Sequence, residues 1–186
     1  MIPLLKAGKP AERVDSYRPV SLTSCLAKTM ERLVANRLGY MAEARHWICD
    51  DQAGFRRMRS CEDQVLRLSQ GISDGFQASP PQRTVLALLD YSKAYDTVWR
   101  EKLFAEMMDK GVPPRYVRWC AAFLRNRLAR VRFNGVESKF HLLRQGLPQG
   151  AVLSPLLFLF FVDGVRQVLP RELSVSMYDI FMWRSQ

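Results

Sequence analysis

The chain has 186 residues, 48% hydrophobic and 25% charged, the balance of a soluble globular domain with a sizeable core. Lys plus Arg number 28 against 18 Asp plus Glu, giving a formal net charge of +10. This favours a polyanionic partner, nucleic acid or an anionic membrane surface, although a merely basic surface would satisfy it too. The most apolar stretch, Val152 to Val162, is interrupted by Ser154 and Pro155 and is far short of the ~20 residues that span a bilayer, so no membrane partner is expected.

Residues 1–20 read as an extended basic segment broken by Pro3, Pro10 and Pro19, with no secretory signal. A helix fits from about Cys25 to Met41, capped by Ser24, with Leu26, Met30, Leu33, Val34, Leu38 and Met41 on one inward stripe. Ser60-Cys61-Glu62-Asp63 is a capping-box pattern opening a second helix, with Val65, Leu68, Ile72 and Phe76 inward. Residues 77–83 form a loop, and Thr84 to Asp90 reads as a short buried strand ending in an acid. A helix from about Val98 to Lys110 stops at Gly111. Pro113 and Pro114 open the next helix, which buries Val117, Cys120, Ala121 and Leu124. Arg130 to Phe133 alternates, and Asn134-Gly135 supplies a two-residue hairpin turn. A very apolar helix is predicted from Ser154 to about Leu169, and a β-rich end from Leu173 to Trp183. Strands this few and irregular suit α+β, a small antiparallel sheet backed by helices, better than a doubly wound sheet.

Charge is unevenly spread. Between Lys110 and Gly150 stand Lys110, Arg115, Arg118, Arg125, Arg127, Arg130, Arg132, Lys139 and Arg144, opposed only by Glu137. A solvated helix face usually mixes both signs, so a one-sign stretch points to a surface that tracks phosphates. Cys25, Cys49, Cys61 and Cys120 have no paired spacing and only His46 and His141 for company. Zinc is therefore not expected, and the thiols read as buried and free in a reducing compartment.

Asp90, at the end of an apolar run, needs compensation. A metal ion supplies it, as does an arginine or a helix N-terminus. The string Leu89-Asp90-Tyr91-Ser92-Lys93-Ala94-Tyr95-Asp96 resembles the palm motif of non-LTR (LINE-type) retrotransposon reverse transcriptases. Gln145-Gly146-Leu147-Pro148-Gln149-Gly150 with Leu153-Ser154-Pro155-Leu156-Leu157-Phe158 is similar to a second palm motif. Ile2 to Pro10, Tyr17-Arg18-Pro19-Val20-Ser21-Leu22-Thr23 and Asp51-Gln52-Ala53-Gly54-Phe55-Arg56 resemble fingers segments. Motifs agreeing in order are far more specific than any one of them.

The resemblance implies fingers over 1–83 and palm over 84–186 of an RNA-directed DNA polymerase, with RNA template, DNA primer and deoxynucleoside triphosphates as partners. It assigns Asp90 as a ligand of two magnesium ions and Tyr95 as the gate against a ribose 2′-hydroxyl. Lys6, Lys9, Arg18, Gln149 and Gly150 are assigned to the nucleotide, and Asp96 to capping the helix that follows. Arg56 falls to the template, and Arg115, Arg118, Arg125, Arg127, Arg130 and Arg144 to nucleic acid at large. An intracellular, nuclear location follows if the protein behaves like the family.

One motif departs from the family. Where the third palm motif should carry an aromatic, Ala, Asp and Asp, the chain reads Ser176-Met177-Tyr178-Asp179-Ile180-Phe181. Two residues are fewer than expected, and Asp179 is the one carboxylate left as a catalytic metal ligand. The thumb is expected to be absent, and with it activity. A catalytically dead remnant that binds nucleic acid, a reverse transcriptase of the intron-maturase type, and a peripheral membrane or scaffold protein using the basic face are the alternatives.

Overall fold

The structure, a computed structural model, describes residues 1–170, 174–176 and 181–185. Its elements are β1 (Ile2–Leu5), β2 (Tyr17–Val20), α1 (Cys25–Ala44), α2 (Cys61–Gln77), β3 (Thr84–Leu88), α3 (Arg100–Asp109) and α4 (Pro114–Leu124). They continue with β4 (Arg127–Ala129), β5 (Arg132–Phe133), β6 (Val136–Glu137), β7 (His141–Leu143), α5 (Ser154–Val162), α6 (Val165–Val168), β8 (Ser174–Ser176) and β9 (Phe181–Ser185). Mixed helices and small antiparallel sheets make the chain α+β, as its pattern suggests. None of the described helices is long and apolar enough to cross a membrane. Contacts divide the chain into two compact units that interleave along the sequence. One comprises Met1–Met41 and Lys93–Phe158; the other comprises Ala42–Ser92 and Leu159–Gln186.

In the first unit the basic N-terminal segment is a hairpin, β1 pairing with β2 from Ile2↔Val20 to Leu5↔Tyr17. Ser24 caps α1 through the Ala27 amide. Of the stripe expected to face inward on α1, Leu38 is buried and Val34 and Met41 are half-buried, but Leu26, Met30 and Leu33 are exposed, and the buried line instead includes Glu31. Gly111, at φ 76°, ends α3 after the Lys110 cap, a left-handed position that a side chain would resist. Pro114 opens α4, and α3 and α4 pack together with Leu103, Met107, Val117, Cys120 and Leu124 buried. Each such side chain contributes about 1.5–3 kcal/mol of burial. Asn134 (φ 47°) and Gly135 (φ 81°) form the expected turn between β5 and β6, and β4 pairs with β7 beyond it.

In the second unit, β3, β9 and β8 form one sheet in that order. The apolar run into Asp90 is not the buried strand the pattern predicts. Val85, Leu86, Leu88 and Leu89 are all exposed, so strong β propensity made the strand without covering it. The capping box of α2 is present, with Ser60 and Asp63 exchanging side-chain and backbone bonds. Of the side chains expected inward on α2, Leu68 and Ile72 are half-buried but Val65 and Phe76 are exposed, and the residues just before those two, Gln64 and Gly75, are buried instead. The apolar helix expected to reach Leu169 stops at Val162, and α6 follows as a separate turn. Of the cysteines, only Cys120 is buried; Cys25 and Cys61 are exposed and Cys49 is half-buried.

Arg56, read as a template contact, is instead an internal clasp of this unit. Its side chain is 3% exposed. Nε and Nη2 donate to the two Glu43 carboxylate oxygens at 2.8 and 2.6 Å, and Nη1 donates to the Cys49 and Gln52 carbonyls. A fork that fills four acceptors at once orders the loop it came from. Arg56→Ala is expected to lower stability by about 2–4 kcal/mol in urea unfolding, and Glu43→Gln by about 1, because Glu43 is half-exposed and the carbonyls keep their donor. The hydrogen bond from Arg56 holds the Glu43 carboxyl below its ordinary value of 4.5. Its contribution is therefore complete above that pH and is lost as pH falls through the lowered folded value. The stability gap between the natural chain and Glu43→Gln should close over that acid window and stay constant above it.

Candidate functional site

The site in the first unit is built on the turn from Gln145 to Gly150. Gly146 takes φ +78°, and a Cβ there would lie 2.7 Å from the Asp96 carbonyl oxygen and 2.9 Å from its Cα. Only a glycine lets the two backbones meet this closely. The approach is fixed by amides: Gly146 donates to the Val98 carbonyl and Leu147 to the Tyr95 carbonyl. The Gln149 side-chain amide donates to both Asp96 carboxylate oxygens, at 3.1 and 3.2 Å. The Ser21 amide donates to the Gln149 carbonyl at 2.7 Å. Gly150 (φ +94°) lies against the same strand end, where a Cβ would meet the Ser21 oxygen at 3.1 Å. Three separate motifs of the sequence thus meet at one turn.

Asp96 does not cap α3, whose N-cap is Trp99 with no side-chain bond. Its carboxylate holds Gln149, and this is the physical reason the acid is needed there. Tyr95 stacks on Phe158, with ring centroids 5.1 Å apart and planes 16° from parallel. Burial pushes the Tyr95 hydroxyl up to about 12, so it stays protonated at neutral pH.

Two charged residues that sequence reasoning passed over support the turn. Arg100 is buried, with its guanidinium donating to the carbonyls of Gly146, Leu124, Leu143 and Gln145. Burial first, then the Arg127 charge, draws its pKa below the ordinary value. Glu31 is buried on α1, and its Oε2 accepts the Val152 and Leu153 amides at 2.7 and 3.2 Å, just ahead of α5. Those amides would be orphan donors at a helix N-terminus, where negative charge is favourable. A basic residue opening a helix and a glutamate at an inward position were the signals available.

The remaining candidates are distributed as follows. Arg18 and Lys9 are exposed on or near the β1–β2 hairpin, and Lys6 is half-buried with Nζ on the Asp15 carbonyl. Arg115, Arg118, Arg125 and Arg144 are exposed. Arg130 pairs with Glu137 and lies over Phe140, while Arg127 is half-buried over Phe123. Arg56 and Asp90 belong to the second unit, where Asp90 is exposed two residues beyond β3. Asp179 lies outside the described residues. Among those described, no cluster of three or more His, Cys, Asp or Glu side chains could hold a metal ion.

Comparison with known proteins agrees with this construction. The family described as reverse transcriptase (RNA-dependent DNA polymerase) matches residues 5–182. The chain is 38% identical over 156 residues to a probable RNA-directed DNA polymerase from transposon BS of Drosophila melanogaster, covering 84% of this chain and 17% of that protein. It is 34% identical over 165 residues to the RNA-directed DNA polymerase from mobile element jockey of the same organism, covering 89% and 18%. A probable RNA-directed DNA polymerase from transposon X-element, also from Drosophila melanogaster, is 32% identical over 162 residues, covering 87% and 18%. The chain thus spans 17 to 18% of the length of these relatives. With a family match over nearly all its residues, and with the Gly146 turn fastened to Tyr95 and Asp96, the chain belongs to the reverse transcriptases of non-LTR retrotransposons.

Proposed function

We propose that the chain is the fingers (1–83) and palm (84–186) of an RNA-directed DNA polymerase that handles an RNA template, a DNA primer and deoxynucleoside triphosphates. The observation that carries this reading is the fastening of the Gln145–Gly150 turn to Tyr95-Asp96 and to Ser21. It supports a nucleotide site in which Tyr95, stiffened by Phe158, meets the sugar as a gate and the backbone around Gln149 and Gly150 lies close to the nucleotide. Lys6, Lys9 and Arg18 are the cations assigned to the triphosphate, where the planar fork of Arg18 suits phosphate oxygens.

Asp90 and Asp179 are the residues assigned to magnesium, which takes hard oxygen ligands. The donor type of Asp90 fits, and its carboxylate is exposed. Antiparallel pairing of β3 with β9 ends at Leu88↔Phe181, and in sequence Asp90 and Asp179 each stand two residues beyond that pair. Two bound magnesium ions would activate the primer 3′-oxygen and stabilise the leaving pyrophosphate. With a single acid in the third motif the ligand set is short by one carboxylate. Losing even half of the several kcal/mol that metal ions supply slows chemistry by orders of magnitude, so the chain as it stands binds but does not extend. Binding falls to Arg115, Arg118, Arg125 and Arg144, which are exposed, and to Arg127, which is half-buried, while Arg130 is paired with Glu137.

Two measurements test the two parts. Binding to single-stranded RNA or DNA should weaken with log salt at roughly 0.7 per phosphate contacted, and Arg118→Ala with Arg125→Ala should flatten that slope by about one to two contacts. A salt-independent affinity removes the nucleic-acid reading. Primer extension should be undetectable in the chain itself. It should appear when Ala-Asp is inserted between Tyr178 and Asp179 in a chain that carries the downstream sequence of an intact relative, and vanish again on Asp90→Ala. Robust extension without the insertion refutes the assignment of a shortened metal site.

A further inference from the structure

Beside the Gly146 turn, within the first unit, is a cavity of about 340 Å³. Arg100, Arg127 and Arg144 line it, together with backbone of the turn, and the acid in its wall is Asp96. That acid already accepts the Gln149 amide. The three arginines differ in what they have left to donate. Arg100 uses four of its five N–H groups on carbonyls. Among the described residues Arg127 donates to the Phe123 carbonyl alone, its guanidinium 4.8 Å from the Phe123 ring centre. Arg144 makes no hydrogen bond or ion pair among the described residues and is exposed at the cavity mouth.

This is an uncommon balance. A half-buried guanidinium with most of its donors unmatched is costly, and a second guanidinium alongside adds like-charge repulsion. Glu31 is near enough to favour the Arg127 charge, yet its Oε2 is taken by the Val152 and Leu153 amides and its Oε1 has no partner. Arg127 is held in place from behind by the Phe123 ring and carbonyl, which leaves the rest of its planar fork available to the cavity. A fork held by a ring and a second, exposed guanidinium lining the same cavity match an oxyanion that accepts several N–H bonds at once.

We propose that this cavity is a discrete phosphate site, gripping one phosphodiester of a single nucleic-acid strand between Arg127 and Arg144. Arg100 acts from behind, holding the turn that forms the floor. The proposal deepens the polymerase reading and rests on it for the identity of the strand. It differs from a diffuse basic surface in one respect: the two arginines serve the same phosphate, so their losses overlap.

The test is fluorescence anisotropy of labelled oligo(dT) and oligo(U) with the full chain, with Arg127→Gln, Arg144→Gln, the double variant, and Arg32→Gln on α1 as a control outside the cavity. Each cavity variant is expected to lose about tenfold in affinity, the size of one charge-assisted contact. The double variant should lose much less than a hundredfold, and its salt slope should fall by one phosphate, roughly 0.7, rather than two. Arg32→Gln should leave affinity unchanged. Arg144 makes no internal bond, so Arg144→Gln keeps the test valid should Arg127→Gln lower stability in urea. Independent, multiplicative losses overturn the shared site and leave a diffuse surface. Parent-like binding by Arg144→Gln overturns the site while the polymerase reading stands, and absence of salt-dependent binding in the parent overturns both. Displacement of the oligonucleotide by millimolar inorganic phosphate from the parent, but not from Arg144→Gln, would assign the cavity to free phosphate and overturn the strand assignment.

Discussion

Arg100 is the charge around which the first unit is organised. Its guanidinium reaches carbonyls at the end of α4 (Leu124), at the end of β7 (Leu143) and twice on the Gln145-Gly146 turn. Carbonyls at helix and strand ends lack partners in their own element, and leaving them buried and unpaired would cost about 1–3 kcal/mol each. One side chain satisfies four, and in doing so sets the turn at the distance from Asp96 that only Gly146 tolerates. Among the described residues the buried cation forms no ion pair with a carboxylate. Its charge is met by carbonyl dipoles, which can do this only while every donor is aimed, so the arrangement is all-or-none.

Two acids, one buried (Glu31) and one half-buried (Asp96), work in the same way from other directions. Glu31 meets α5 at its N-terminal amides and Asp96 meets Gln149, so both sides of the turn are fixed by carboxylates. The same rigidity extends to Tyr95. Tyr95 is placed by its own carbonyl bond to Leu147 and by the ring of Phe158, which itself projects from α5. Backbone and side chain of one residue are thereby referred to the same two elements.

Much of this was legible before any coordinates, and the failures share one cause. Both long helices were placed with their caps, because Ser24 and Ser60-Asp63 carry local bonds that depend on neighbours in sequence. The Asn134-Gly135 turn and the Gly111 stop were legible for the same reason. Phase was not. Along α1 Leu38 lies inward as the stripe requires, but Leu26, Met30 and Leu33 are exposed and Glu31 is buried, a choice of face that periodicity alone leaves open. The choice was made by tertiary bonds at Val152 and Leu153, invisible to a helical pattern. Charged residues read as solvated by default, so Arg56, Glu31 and Arg100 were misassigned or passed over although they bind the fold together. The glycines of the motif match, by contrast, stand where close backbone approach constrains residue type directly, at Gly146 and Gly150.

That contrast bears on which parts of a polymerase can be lost first. The Gly146 turn serves the fold itself: a side chain there meets backbone, and removing Arg100 strands four carbonyls. Such positions are held by stability whether or not chemistry is performed. Asp90 is different. It is exposed, beyond the last paired residue of an exposed strand, and a lone surface carboxylate is worth little to folding. Losing it leaves the fold intact, so an acid at such a position can go while the Gly146 turn and the Arg100 bonds stay ordered. On physical grounds, then, the residues that persist longest are those whose loss would also unfold the chain.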